Sequence, residues 1–189
     1  MPKGERQRRA GLARQYFELA RKQFPAHPWI LRNWAQLEFD LGNRAAAYAK
    51  FDEMEALDPT NAASYSERLR FTLAYGDHSV ATMALRKGIA AQPAGSESAR
   101  ALRNNLAQYF NQIGQPVQAL NVFLEMIQAD PNDFAAVSSA AELYERTDQR
   151  VVALGNVQAA LARIVTLPHT PKIDAEQKKL EALAARLGS

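Results

Sequence analysis

The chain has 189 residues, no cysteine and a formal net charge of +3. This length suits one domain or a stack of small units, and the missing cysteine excludes disulfide frameworks, thiolate metal sites and cysteine nucleophiles. Its apolar runs fall far short of the roughly 18–20 residues that cross a bilayer, and the basic start MPKGERQRRA lacks a signal peptide's apolar core. A cytoplasmic protein without a membrane partner, or an excised piece of a larger protein, is therefore expected.

Frequent Ala and Leu with few β-branched residues favour helix over sheet. In chain order, residues 4–24 read as one long helix stopped by Pro25. This part is basic: residues 1–32 carry +6, leaving −3 for residues 33–189. Helical segments then follow in pairs. Leu106, Tyr109, Phe110 and Ile113 keep the i, i+3, i+4, i+7 spacing of one helix face, as do Leu120, Phe123, Leu124 and Ile127. Pro168 and Pro171 break the chain near its end, and DAEQKKLEALAARL restarts it. Asp174 is the expected N-cap there. Ile173, Leu180, Leu183 and Leu187 give this last helix an apolar stripe suited to closing a stack.

The pairs repeat. Residues 51–61, FDEMEALDPTN, and 123–133, FLEMIQADPND, carry nearly the same phrase 72 residues apart. Pro25, Pro59 and Pro93 are spaced by 34 residues, as are Ala13, Ala47 and Ala81, and Gly42 and Gly76. Gly114, Ala119, Phe123 and Pro131 lie 38 beyond their counterparts, which places an insertion around residues 94–99, AGSESA. The insertion is expected to lengthen a loop or a helix start. In a fourth, degenerate unit Asp148 replaces the glycine and Val165 the proline.

Each recurring residue has a mechanical use. Gly42, Gly76 and Gly114 end the first helix of a pair, where positive φ closes the last turn. Ala47, Ala81 and Ala119 allow the second helix to approach closely, and Phe51, Leu85 and Phe123 fill the space one turn on. Pro59, Pro93 and Pro131 stop that second helix. The repeated phrase is an instruction to end a helix.

With these marks, and most clearly in residues 105–131, NLAQYFNQIGQPVQALNVFLEMIQADP, the chain resembles the tetratricopeptide repeat family. The resemblance covers roughly residues 11–165. It implies an all-α, right-handed superhelical solenoid of antiparallel helix pairs with a C-terminal capping helix. The units expected are a partial one at 4–25, repeats at 28–61, 62–93 and 100–133, the degenerate repeat at 134–165 and the cap at 172–187. All belong to one array.

Catalytic patterns are absent. His27, His78 and His169 stand beside turn residues in different parts of the array, without metal-ligand spacing. The glycines are scattered, so no phosphate-cradling loop forms. Asp52, Glu53 and Glu55 read as a solvated helix face, and Met54 and Met126 as core fillers. The chain is expected to be no enzyme and to need no cofactor or metal.

The resemblance implies that the first helix of each pair lines a concave, peptide-binding wall. The residues in those slots are Trp29, Arg32, Asn33, Gln36 and Phe39, then Ser66, Glu67, Arg70 and Leu73. The third unit supplies Asn104, Asn105, Gln108, Asn111 and Gln112, and the fourth Ser138, Ser139, Glu142 and Arg146. Arg32, Asn33, Gln36, Arg70, Asn104, Asn105 and Gln108 are the expected peptide-binding set, since amides both donate and accept. Members that bind chaperone tails clamp a carboxylate with Lys, Asn and Arg. Those slots here hold Arg32 and Ala101, Glu67, and Asn105, which argues against such a ligand.

The leading expectation is a protein-interaction scaffold that binds a peptide or partner protein. An alternative is an RNA-associated array: WAQLE at 34–38 and ARQYFELARKQFP at 13–25 are similar to half-a-TPR repeats. There the arginines of the first helix would meet phosphates, and Trp29 and Trp34 would stack on bases. A repeat segment of a larger enzyme or envelope-assembly protein is a third reading. The uncapped N-terminal helix is also expected to serve as a homodimer contact.

Overall fold

The computed structural model describes residues 3–25, 27–75 and 77–189, which form ten α-helices. They group into two compact units, Met1–Gln92 and Pro93–Ser189. The first holds α1 (Lys3–Gln23), α2 (Pro28–Asp40), α3 (Arg44–Leu57), α4 (Ala62–Tyr75) and α5 (His78–Ala91). The second holds α6 (Glu97–Gln112), α7 (Pro116–Ala129), α8 (Phe134–Arg146), α9 (Arg150–Ile164) and α10 (Pro171–Gly188). In both, successive helices pack as pairs: α2 with α3 and α4 with α5, then α6 with α7 and α8 with α9.

Within a pair, the reversal is made by one residue in the left-handed region. Gly42 has φ +84°, Gly114 +74° and Asp148 +60°. The next residue then donates its N–H to the carbonyl five positions back: Asn43 to Glu38, Gln115 to Phe110 and Gln149 to Tyr144, each 2.8 Å. This is the outer bond of a Schellman turn. Asp148 thus does the glycine's job, at the steric cost that Cβ imposes there. Gly76 lies outside the described residues. Between pairs, the repeated Asp-Pro makes an Asx turn, with Asp58 accepting from Thr60 N–H at 3.2 Å and Asp130 from Asn132 N–H at 2.9 Å.

The small residues sit at the helix crossings. Ala47, Ala81, Ala119 and Ala153 have no exposed surface. In the first unit Leu31, Ala35, Phe39, Phe51, Met54 and Phe71 pack around Ala47, with the Phe39 and Phe71 rings edge-on at 4.8 Å. In the second, Val137, Ala141, Val157 and Ile164 pack against Leu180, Leu183 and Leu187 of α10, which covers the last pair. Met54 and Met126 are buried. Phe39 and Ser138, expected on the open wall, are buried too. Phe39 packs into the core around Ala47, and Ser138 lies one position from the wall-facing Ser139.

Two boundaries differ from the sequence expectation. Pro171 begins α10, at the first-turn position where its missing N–H costs nothing. The N-cap is Thr170, whose hydroxyl accepts from Ile173 N–H at 3.2 Å; Asp174 lies inside the first turn and faces His169 Nδ1 at 3.0 Å. The residues inserted at 94–99 hold Gly95 at φ +74° and Ser96 as N-cap of α6. At 16 residues, α6 is longer than the other opening helices of pairs, so part of the insertion has become helix.

A close approach missed by the repeat spacing joins α4 to α5. Gly88 is buried beneath the Tyr65 ring, and a Cβ there would stand 2.6 Å from ring carbon Cγ. Tyr65 cannot swing freely because its hydroxyl donates to the Pro59 carbonyl at 3.0 Å. Gly88→Ala should gain about 1 kcal/mol in helix propensity and lose more, about 2–3 kcal/mol, to the clash. A net loss of stability in urea unfolding is expected, with the far-UV circular dichroism of the native state unchanged.

Candidate functional site

Each unit has its own recess between the first helices of adjacent pairs. In the first unit it lies between α2 and α4, is about 170 Å³, and is lined by Arg32, Gln36, Glu67, Arg70 and Tyr75 over the Phe51 and Phe71 rings. Glu67 is held by two arginines, Arg32 Nε at 3.1 Å and Arg70 within its own helix. Gln36 donates to the Tyr75 hydroxyl at 3.2 Å and to Asp40 at 2.9 Å. Arg32, Gln36 and Arg70 therefore come together. Asn33 lies outside this lining and donates to the Trp29 carbonyl at 2.7 Å.

The second unit holds a larger recess of about 420 Å³, bounded by α6, α8 and the start of α10. Asn104 and Gln108 project from α6, Ser139 from α8, and Phe123 and Met126 of α7 form the floor. It runs on into a narrower part of about 220 Å³ that shares Asn104, Gln108, Phe123 and Ser139. Arg146 closes this part by donating to Asn111 at 2.7 Å. Asn105, one position round the helix, is absent from both linings. A helix presents i, i+4 and i+7 on one face, and Asn104, Gln108 and Asn111 satisfy that rule.

Charge is organised at positions that residue spacing does not mark. Glu38 is buried and accepts from four side-chain groups. Arg14 of α1 binds it with Nε and a terminal nitrogen at 2.6 Å each, Asn43 donates at 3.0 Å and Trp34 Nε1 at 3.1 Å. The Arg14 hydrogen bonds, opposed by burial and helped by Asn43 and Trp34, pull the Glu38 carboxyl down to about 2. This lock fastens α1 to the first pair. Sequence spacing within WAQLE places Trp34 and Glu38 on one face, but nothing local announces Arg14, 24 residues earlier.

The acidic run on α3 is a solvated face only in part: Asp52 is exposed, Glu53 half-buried and Glu55 buried. Glu55 is fully buried and joins Arg68 at 3.0 Å to Lys87 at 2.8 Å, while Asp52 meets Arg68 at 2.6 Å. Glu53 pairs with Arg21 of α1. The helix turns these acids in different directions, and each finds a cation from another element.

The same contacts correct the stacking expected of Trp34. It is buried, lies 5.9 Å from the Phe17 ring and takes the Lys50 ammonium at 3.8 Å on its face, so no base can stack on it. Arg6, Arg14 and Arg21 are engaged within the unit, whereas Trp29 is exposed. Among the described residues no group of three or more His, Asp or Glu side chains is placed to hold a metal ion, and no helix is long and apolar enough to cross a membrane.

Solved structures share this fold. A MamA structure superposes with a TM-score of 0.53 at 19% identity, covering 89% of this chain and 94% of that one. The TPR-like repeats of a Podosopora anserina kinesin light chain give 0.52 at 20% identity, covering 86% and 89%. MamA 41-end from Desulfovibrio magneticus RS-1 gives 0.51 at 15% identity, covering 82% and 85%. The fold is thus that of tetratricopeptide-like helical repeats. No family model matches the sequence, and no curated protein does.

The Glu38 lock carries a pH signature. Its folded pKa lies below the ordinary 4.5, so its stabilisation is complete above that value and fades as pH falls towards about 2. Glu38→Gln should cost on the order of 2 kcal/mol at neutral pH, allowing for solvent on the Arg14 side. The difference between the two proteins in urea unfolding should shrink as pH drops through this window.

Proposed function

We propose that the chain is a non-enzymatic interaction scaffold whose recesses take an extended peptide or partner segment. The observation that carries this reading is the polar-lined, apolar-floored recess of the second unit. Amides that can bond a peptide backbone stand at its wall, and Phe123 and Met126 wait below for a side chain. Asn104 and Gln108 are the principal contacts. Arg32, Gln36 and Arg70 serve the smaller recess of the first unit, and Asn33 and Asn105 are secondary members of the expected set.

The test is affinity capture with the native chain and with a variant carrying Asn104→Ala, Gln108→Ala and Arg70→Ala. A protein retained by the native chain, with and without ribonuclease, should be lost by the variant while the helical circular dichroism stays the same. Equal retention by both would overturn the groove. Retention that needs intact RNA would instead revive the RNA-associated reading through the free arginines and Trp29.

A second reading concerns α1. Its Ala10, Ala13, Arg14 and Phe17 side is turned to the first pair, while Leu12, Tyr16 and Leu19, on the opposite face, are 48%, 70% and 57% exposed. An apolar stripe on a second helix face is suited to another helix. We assign it to a second copy of the chain. Sedimentation at rising concentration should show a dimer that Tyr16→Ser with Leu19→Ser dissociates; a native chain monomeric throughout would exclude it.

A further inference from the structure

The cations that line the second unit's recess are unpaired, while the other arginines of that unit are engaged. Arg146, Arg150, Arg163 and Arg186 each donate to an acid, amide or carbonyl of the same unit. Arg100, Arg103, Lys172 and Lys179 make no ion pair or side-chain hydrogen bond among the described residues, and all four line this recess or its continuation towards Gly95. Two come from α6 and two from α10, so the cations face one another across the opening. Lys178, beside them in sequence, is the one other cation of the unit left without such a partner.

Three acids share the rim, and two of them are spoken for. Asp130 accepts from Asn132 N–H at 2.9 Å in its Asx turn, and buried Asp133 caps α8 by accepting from Ala136 N–H at 3.1 Å. Asp133 sits at the positive end of the α8 dipole, which offsets part of its charge. Four unpaired cations thus face three acids, of which Asp130 and Asp133 are already held by backbone N–H groups. Unpaired charges held apart around a low-polarity floor are the surface that a complementary anion desolvates at least cost.

We infer that this recess selects an acidic peptide segment of a partner protein, with two or more carboxylates flanking one apolar side chain. The inference rests on the groove reading above and names its ligand class. The carboxylates would meet Arg100 and Arg103 on one side and Lys172 and Lys179 on the other. The apolar side chain would drop onto Phe123 and Met126, and the backbone would lie along Asn104 and Gln108. A nucleic acid is the poorer match: the lining offers no exposed aromatic ring on which a base could stack.

Fluorescence anisotropy with the full chain tests this, using three labelled probes: a peptide alternating Glu and Leu, the same peptide with Gln for Glu, and an oligouridine RNA. The Glu peptide should bind, weaken as salt rises, and lose at least about tenfold in affinity in Lys172→Gln with Lys179→Gln. Those lysines are exposed and unpaired, so circular dichroism should report an unchanged fold. Equal binding of the Gln peptide, sensitive to Asn104→Ala with Gln108→Ala, would overturn the acidic ligand and leave the groove standing. Binding of oligouridine in place of the Glu peptide would overturn it in favour of a nucleic acid. If neither peptide binds, the inference fails, and the capture experiment judges the groove separately.

Discussion

The structure depends on how closely two antiparallel helices can approach. Ala47, Ala81, Ala119 and Ala153 occupy the crossings, each without exposed surface. With only a methyl group at the contact, the backbones come near enough for Phe51, Leu85, Phe123 and Val157, one turn later, to bury against the facing helix. A larger side chain at any crossing would force the pair apart and strand the apolar residue one turn on. The turn residues serve the same end. Positive φ at Gly42, Gly114 and Asp148 reverses the chain within few residues, so the second helix starts already against the first.

Close packing of the second helices leaves the first helices to form the walls. Where adjacent first helices diverge, a few long side chains bridge them, and between these a recess opens whose floor belongs to the second helix behind. This is why Phe123 and Met126, ordinary core residues by spacing, also form the bottom of a recess walled by Asn104, Gln108 and Ser139. The site needs no special element. It is a by-product of stacking, which is why its chemistry is free to be set by a few wall residues.

Electrostatics divides the molecule by use. The first unit pairs acids with cations from other helices: Arg14 with Glu38, Arg21 with Glu53, and Arg68 and Lys87 with Glu55. Burying Glu38 or Glu55 alone would be costly, and only the multiple donors around each make it tolerable. The second unit closes its core with α10 and apolar contacts, and leaves cations facing an opening.

The repeat, the all-helical fold and most core positions were legible in the sequence, because each follows from local rules of backbone freedom and side-chain period. Gly42, Ala47 and Pro59 carry their roles wherever the neighbours lie. Long-range pairs carried no such signal. Arg14 and Glu38, or Glu55 and Lys87, are charged residues on helices until packing brings them together, and spacing alone cast Glu55 as solvated. The same limit applied to the wall. Sequence fixed the first helices as its source, yet a difference of one position, about 100° around a helix, separated Asn104 from Asn105 and left Ser138 buried beside Ser139. Local chemistry determined what this chain folds into; only the tertiary structure decided which charges are spent holding it together and which are left unpaired, because those pairings join residues far apart in sequence.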